Sequence, residues 1–467
     1  MVDSYVPGME VNVSANLQTV TPGATGVIAI IGTAQWGPIG QVQELVTFTE
    51  VLNTFKESKT SLTLTQGGYA AYLGGANSTK VLRLAGASAD YSDMSFEGDG
   101  EDDVLTFKGK YKGTYGDNIG VTIVGTESTR TVEVTDGVLT EDYDNLGDGY
   151  TTNATIATAI NASSQLATVT VKAGSETSNV VDAATKTYLT GGDDGSTLTP
   201  TELVNQLEYL RLEDWDLFVT PGETTNTNQA SIQAFIESRA TNDKKYAIYF
   251  AGVTTDESLA TIKARTATST EGRLVLITPD SEMLNRADDE VDYLDGSYSA
   301  CVLAGVQSAL DIAGSITNKV ITGVSDLMID TTTSTKYYNR TQQNGLLAKG
   351  IVPISKKEGA LKVVRGITRA GPSSNYYEIS VRRIIDYIVN GCRSAFSPFI
   401  GGKNIARNRG IIKSLVEAFL EESVTSEIIT AYTTEVIVGN SADQVYVNLA
   451  VSVVRPINFI TVNLQVA

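Results

Sequence analysis

Three times in succession between residues 203 and 278, apolar side chains recur at helical spacing and then close up into a strand. Leu203, Leu207 and Leu210 share a helical face that runs into Leu217–Thr220; Ile232, Phe235 and Ile236 lead to Tyr246–Phe250; Leu259–Ala264 precedes Arg273–Thr278. A repeated change from the 3.6-residue period to short apolar runs predicts one sheet with helices layered against it. Residues 26–84 carry the same rhythm. Val27–Ile31 reads as a buried strand, Thr49–Phe55 as a helix with Thr47 or Thr49 as its cap, Gly67–Leu73 as a helix ending at Gly74-Gly75, and Lys80–Leu84 as a strand. The expected class is α/β (α+β) and multidomain, because 467 residues exceed what one compact core accommodates.

Between these halves the composition changes. Residues 88–195 are rich in Thr, Asp and Gly, and Val104–Phe107, Val121–Val124, Thr131–Val134 and Thr168–Val171 are spaced like the strands of a small β-sandwich. We read this stretch as an inserted domain in an exposed, outer position. The α/β core is then residues 25–87 and 196–345.

After residue 345 the charge reverses. Residues 346–416 carry 13 basic and 3 acidic residues, whereas the whole chain has a net charge of −19. Short strands at Ile351–Ile354 and Leu361–Val364 precede amphipathic helices around Ile379–Val389 and Ile411–Leu420. In the second helix Ile411, Ile412, Leu415, Val416, Phe419 and Leu420 fall on one face. Lys403, Arg407, Arg409 and Lys413 crowd its start, where cations oppose the helix dipole, so something other than helix stability places them there. Two readings stand: a solvated surface with chance clustering, or a face turned to an acidic or polyanionic partner. Nucleic acid is disfavoured by the overall charge and by the few aromatic residues interleaved with the cations.

Both ends are amphipathic strands set off by breakers. Val11, Val13, Ala15 and Leu17 alternate with polar residues before Thr21-Pro22-Gly23. Near the other end Val445, Val447, Leu449, Val451 and Val453 alternate cleanly, and beyond Pro456 so do Ile460, Val462, Leu464 and Val466. Such strands bury their apolar face only by joining a sheet, either their own or that of a neighbouring copy. We accordingly divide the chain into an N-terminal arm (1–24), the core, the insert (88–195), a C-terminal domain (346–454) and a C-terminal arm (455–467).

Chemistry has few openings. Histidine is absent, which removes Ser-His-Asp and Cys-His systems and HExxH zinc sites. Cys301 and Cys392 stand 91 positions apart and form no CxxC pair. Gly402-Lys403 lacks the surroundings of a P-loop, no GxGxxG occurs, and Gly191–Gly195 reads as a turn rather than a calcium loop. Acidic pairs such as Asp288-Asp289 and Glu421-Glu422 would be the basis of a carboxylate-dependent hydrolase. We expect no catalytic, cofactor-binding or metal-binding residues. No run approaches the ~18 apolar residues of a membrane span, and the N-terminus lacks the regions of a signal peptide. The expectation is a chain that stays in the cytoplasm, or leaves it by a route other than secretion.

Five short motifs in order resemble the phage tail sheath proteins. Thr25 to Pro38 (TGVIAIIGTAQWGP) resembles the family's GV.AFVGTAERGP opening, and Val46 to Phe55 continues it. Gly68 to Ala76 with Val81-Leu82-Arg83-Leu84, Leu189 to Gly195, and Ser380 to Ile388 are similar to later blocks. Leu73 stands where the family usually has Asn, and Ala304 to Asp311 is a loosened version of a further block. The resemblance implies a non-enzymatic subunit without cofactors, polymerised as stacked six-fold rings around a tail tube, that contracts from a metastable extended state to drive the tube through a cell envelope. Its arms, through Val11, Val13, Ala15, Leu17, Ile460, Val462, Leu464 and Val466, would pair with sheets of adjacent subunits. The C-terminal domain would face the tube, with Lys403, Arg407, Arg409 and Lys413 as contact candidates. Other implied partners are the tail tube protein, baseplate and tail terminator proteins, with no direct nucleic acid and no stable membrane insertion. The implied location is the tail of a virion or an equivalent contractile particle, assembled in the host cytoplasm. The alternatives are a non-contractile surface or capsid lattice protein, or the hydrolase.

Overall fold

The computed structural model describes residues 25–57, 62–98, 102–144, 149–254, 256–441, 443–462 and 464–465. These form two compact units, one of residues 24–382 with 456–467 and one that includes residues 383–455. The expected N-terminal strand residues Val11, Val13, Ala15 and Leu17 lie outside the described residues, as does Val466.

The larger unit begins with β1 (Ile28–Thr33), β2 (Val42–Leu45), α1 (Phe48–Phe55), α2 (Leu64–Leu73) and β3 (Thr79–Leu84). The insert follows as β4 (Asp93–Gly98), β5 (Asp102–Gly109), β6 (Gly120–Val124), β7 (Thr131–Thr135), β8 (Thr140–Tyr143), α3 (Asn153–Ser163), β9 (Ala167–Val171) and β10 (Ala184–Tyr188). The α/β rhythm then resumes through α4 (Pro200–Leu207), β11 (Leu217–Val219), α5 (Asn226–Ser238), β12 (Ile248–Gly252), α6 (Leu259–Ala264) and β13 (Leu274–Thr278). A side sheet of β14 (Asp280–Asn285), β15 (Glu290–Leu294) and β16 (Asp326–Met328) flanks α7 (Gly296–Ala309). The chain returns through α8 (Arg340–Leu347), β17 (Ile351–Lys357) and β18 (Ala360–Val363).

The core sheet has the order β18-β17-β13-β12-β11-β1-β3-β2. Its six inner strands run parallel, and the antiparallel β2 and β18 close its two margins. Alternation along β1 sends Ile28 and Ile30 into one apolar layer and Ala29 and Ile31 into the other. On the first face α2 and α7 pack together against the strands. On the second lie the Leu203–Leu210 and Ile232–Ile236 faces that the sequence pattern predicted. Thr47 caps α1 and Thr199 caps α4, each in a reciprocal box with the Glu three residues on.

Two expectations are corrected here. The strands at Ile351 and Leu361 were assigned to the C-terminal domain, yet β17 pairs with β13 in parallel and β18 extends the same core sheet. Their apolar residues, Ile351 to Ile354, Leu361 and Val363, need two covered faces, and the central sheet supplies them. The insert also contains the helix α3, absent from the sequence reading. Its Asn-Ala-Thr-rich face is polar, but Ile156, Ala157 and Ile160 are buried with both insert sheets.

Those sheets, β10-β6-β7-β8 and β4-β5-β9, close over one apolar cluster. Trp36, from the loop after β1, joins that cluster with its ring 5.3 Å from Tyr111 and 5.4 Å from Tyr115. Arg83, fully buried on β3, donates through Nη1 to the carbonyls of Gly37 (2.8 Å) and Lys112 (2.7 Å). Burial lowers its pKa to about 10, against the opposing pull of Asp194. Lys56, after α1, pairs with Asp136 of the insert at 3.2 Å, and Tyr115 Oη donates to the same carboxylate at 2.8 Å. Apolar, cationic and anionic contacts thus tie the insert to the core within one unit.

Helices α2 and α7 approach so closely that a Cβ on Gly305 would lie 2.1 Å from the Ala71 carbonyl oxygen. Gly305→Val is therefore expected to destabilise the chain by about 1–3 kcal/mol or more; an unchanged denaturant midpoint would contradict this packing. For Asp136, burial alone would raise the carboxyl pKa. Backbone N–H groups of Leu139 and Val138, Tyr115 and Lys56 together outweigh burial and hold it below its ordinary value. A lowered folded-state pKa gives stability that is present above the unfolded value and lost as pH falls through the folded one. The stability gap between wild type and Asp136→Asn should shrink as pH drops from neutral to below about 4. Parallel denaturation curves at each pH measure it, and a gap independent of pH would refute the assignment.

Candidate functional site

The smaller unit is built around α10 (Ala406–Thr425) and the hairpin of β19 (Ile429–Val438) and β20 (Val445–Val453), with most of α9 (Ile379–Phe396). Ile412, Leu415, Val416, Phe419 and Leu420 of α10 are buried, whereas Ile411, expected on the same face, is exposed. Phe419 stacks 5.6 Å from Tyr387, over Gly391, where a Cβ would meet its ring at 2.3 Å. The hairpin register pairs Tyr432 with Val451, Thr434 with Leu449 and Val436 with Val447, placing these six on its half-buried face. Tyr432 Oη donates to the Glu421 carboxylate (3.1 Å) and Thr434 Oγ1 to that of Glu417 (2.9 Å), fixing the hairpin on α10. The opposite face, including Ile437 and Tyr446, is exposed. Among the described residues this sheet has two strands, so each keeps one margin with no neighbouring strand.

The sequence reading found β20 but not β19. Inward Thr434 and outward Ile437 blur the alternation of β19. Its seven Ile, Thr and Val residues, ahead of a Gly439-Asn440-Ser441 turn, were the available signal.

The four expected cations do not share a face. Lys403 precedes α10 by three residues. At 3.6 residues per turn Arg409 and Lys413 stack on one side, and Arg407 points roughly 160° away from Arg409. Arg409 Nη1 donates to Asn404 Oδ1 at 2.8 Å, and Lys413 lies 3.6 Å from Glu417. Lys403 and Arg407 are exposed and make no ion pair among the described residues. The first turn of α10 has no side-chain cap. Exposed Ile400 and Ile405 accompany these cations.

In the larger unit the start of the C-terminal arm rests on its own chain. Asn458 Nδ2 donates to Glu378 Oε1 at 3.1 Å, and Arg365 lies 5.5 Å from the Phe459 ring centre. Beyond this the described residues form no strand, and Ile460, Val462 and Leu464 are 82–85% exposed.

A crevice of about 610 Å³ opens at the carboxyl ends of β1, β3 and β11, where the strand order reverses and α/β proteins bind ligands. Among the described residues its lining carries Asp194, Glu223, Asn228 and several threonines, but no lysine, arginine or cysteine. The Glu223 carboxylate accepts from Thr225 N (2.8 Å) and Asn228 Nδ2 (2.6 Å), so the start of α5 is already occupied by the chain's own anion. Cys301 is fully buried and its thiol is pushed well up by desolvation; burial likewise raises Cys392 to about 11. Asp288 and Asp289 sit in the exposed β14–β15 turn, and Glu421 is engaged by Tyr432. Among the described residues no group of three or more Cys, Asp or Glu could hold a metal ion, and no helix is long and apolar enough to cross a membrane.

Residues 196–369 match the phage tail sheath protein central domain, and residues 372–467 match the phage tail sheath C-terminal domain. This chain belongs to the phage tail sheath family. A tail sheath protein of Enterococcus phage phiEF24C is 25% identical over 288 residues, 60% of this chain and 48% of that protein. The sheath chain thus spans about half the length of that curated relative. Among solved structures, a sheath tail protein from Desulfitobacterium hafniense superposes with a TM-score of 0.67 at 15% identity, covering 97% of this chain and all of the other. One from Listeria innocua gives 0.70 at 16% identity, covering 93% of each chain. The sheath of the anti-feeding prophage in its contracted state gives 0.57 at 14% identity, covering 99% of each. At these identities the likeness is one of fold. Elements α4 to β18, with five of the eight strands of the core sheet, fall within the sheath central domain. Helix α10 and the hairpin fall within the sheath C-terminal domain, and the role of the family is structural.

Proposed function

We propose that this chain polymerises as stacked six-fold rings around a tail tube and contracts from a metastable extended state, driving the tube through a cell envelope. The observation that carries the reading is a pair of unmet surfaces. A C-terminal arm leaves Ile457, Phe459, Ile460, Val462 and Leu464 80–85% exposed, and a hairpin of two strands keeps margins that are open among the described residues. Exposed alternating apolar residues and unpaired strand margins satisfy each other when one copy lends its arm to the sheet of another. Family membership and the fold shared with sheaths of contractile particles support the same conclusion.

Without nucleotide, the work must be stored in the lattice as two packings of the same subunits separated by a barrier. Arms bound through backbone hydrogen bonds keep neighbours linked while rigid units rotate past one another. Lys403 and Arg407 are the cations best placed for a tube surface, since Lys413 is compensated by Glu417. Each exposed ion pair contributes only ~0–1 kcal/mol, which suits a contact that must hold in number and release in sequence. Tail tube, baseplate and terminator proteins are the partners of this reading, and the tail of a virion or equivalent particle is its location.

Deleting residues 457–467 should leave a folded chain that no longer forms long sheaths. Electron microscopy reads the outcome: striated hollow tubes of normal length from the truncated chain would exclude the arm mechanism. Lys403→Glu with Arg407→Glu should impair co-assembly on purified tube while sparing tube-free polymers. Undiminished co-sedimentation with tube would remove this patch from the contact.

A further inference from the structure

The insert carries 6 basic and 19 acidic residues across positions 88–195, and half of those cations lie within five residues: Lys108, Lys110 and Lys112. Lys108 stands at the end of strand β5, just before Gly109, and Lys110 and Lys112, just beyond it, line a cleft of about 540 Å³ together with Pro38, Gln41, Tyr91 and Tyr111, among others. Lys108 Nζ lies 4.1 Å from the Tyr91 ring centre and Lys112 Nζ 5.5 Å. Lys110 Nζ donates to the Ser164 carbonyl (2.5 Å) and Lys112 Nζ to that of Ala89 (2.7 Å). Rings and carbonyls orient these ammonium groups without neutralising them. Among the described residues none of the three has a carboxylate within 4.0 Å. A cleft of fixed, uncompensated cations on a strongly acidic domain is organised for an anion.

The other end of β5 has the complementary character. Asp102 and Asp103, with Glu97 on β4, border a groove of about 600 Å³ in which Lys172, 3.2 Å from Asp102, is the single cation. Six residues of strand separate Asp102 from Lys108, about 20 Å at ~3.3 Å per residue, so the two ends cannot neutralise each other within one copy. One domain thus carries a basic cleft and an acidic groove at opposite ends of a single strand. Such a pair is self-complementary head to tail, the geometry of a heterologous contact that repeats along a polymer.

We infer that the Lys110–Lys112 cleft, with Lys108 beside its Tyr91 wall, receives the Glu97/Asp102/Asp103 end of the insert of a second copy, linking inserts laterally in the assembled sheath; this rests on the polymer reading above. The contact adds to the arms and would oppose the mutual repulsion of a chain of charge −19 packed at high local concentration.

The test is carbodiimide cross-linking of polymers assembled from equal amounts of ¹⁴N- and ¹⁵N-labelled full-length chain, which joins lysine to carboxylate at contact distance. Mass spectrometry should find isotope-hybrid peptides joining residues 108–112 to residues 97–103, their yield falling as salt rises. In Lys108→Glu with Lys112→Glu, Lys110 remains as reporter and its hybrid peptides should disappear, with the unfolding midpoint and arm-dependent polymerisation retained. Polymers that form without these hybrids, or with the lysines joined to other acidic segments, overturn the inference and leave the assembly reading standing. Should no polymer form, the assembly reading fails; the same hybrids are then sought in the concentrated chain, and their absence there overturns the inference as well. Binding of alginate, lost in the double variant and unaccompanied by hybrid peptides, would identify an acidic-glycan site and also overturn it.

Discussion

Everything in the larger unit depends on the parallel pairing of β1 with β11, which joins Ile28 to Leu217 across nearly two hundred residues of chain. Gly26 N donates to Asp216 Oδ2 at 2.9 Å just before the first paired residues, so the contact is fixed at its entry. Because β1 also pairs with β3, it is the strand about which the sheet order reverses. Closing so long a loop costs entropy that grows only slowly with length, and the insert reduces that cost by folding on itself. Its two ends are brought together by Asp90 and Asp193, which exchange backbone hydrogen bonds of 3.0 and 3.2 Å. The Gln206 amide holds Ala85 through both its N–H and its carbonyl. An elaborate domain can therefore hang from the core without disturbing the register of the central sheet.

That attachment is more than a tether. Trp36, Arg83 and Lys56 come from three separate core segments; the first two meet the neighbouring Tyr111 and Lys112 of the insert, and the third its Asp136. A fully buried guanidinium such as that of Arg83 is costly to desolvate, and its hydrogen bonds to two carbonyls offset only part of that cost. Such a group specifies one docking geometry more than it adds stability. In the contraction proposed above, a fixed docking geometry would let core and insert move as one body.

Much of the architecture was legible in the residues. Wherever a helix face and its following strand were both strongly apolar, as from Leu203 to Thr278, element type and order matched the structure, because burial on both faces leaves little choice. Legibility failed where burial was shared between elements distant in sequence. Helix α3 was hidden because its buried apolar residues are Ile156, Ala157 and Ile160 alone, too few for a visible period. The place of β17 and β18 was misjudged because a charge reversal near residue 345 suggested a boundary, and surface charge says nothing of which strand pairs with which. The cations before and within α10 were recognised, but their division between two sides is a matter of helical rotation that a list of positions conceals.

By itself the sequence determined the layered α/β class, the inserted β-rich domain and the absence of histidine chemistry. Each follows from local composition or periodicity, which acts over a few residues. Only the tertiary structure decided that β17 and β18 complete the core sheet and that Trp36, Arg83 and Lys56 clasp the insert. It also decided that β5 runs from an acidic groove to a basic cleft. Those facts depend on pairings between segments tens to hundreds of residues apart, and their free energy belongs to the contact, not to either segment alone.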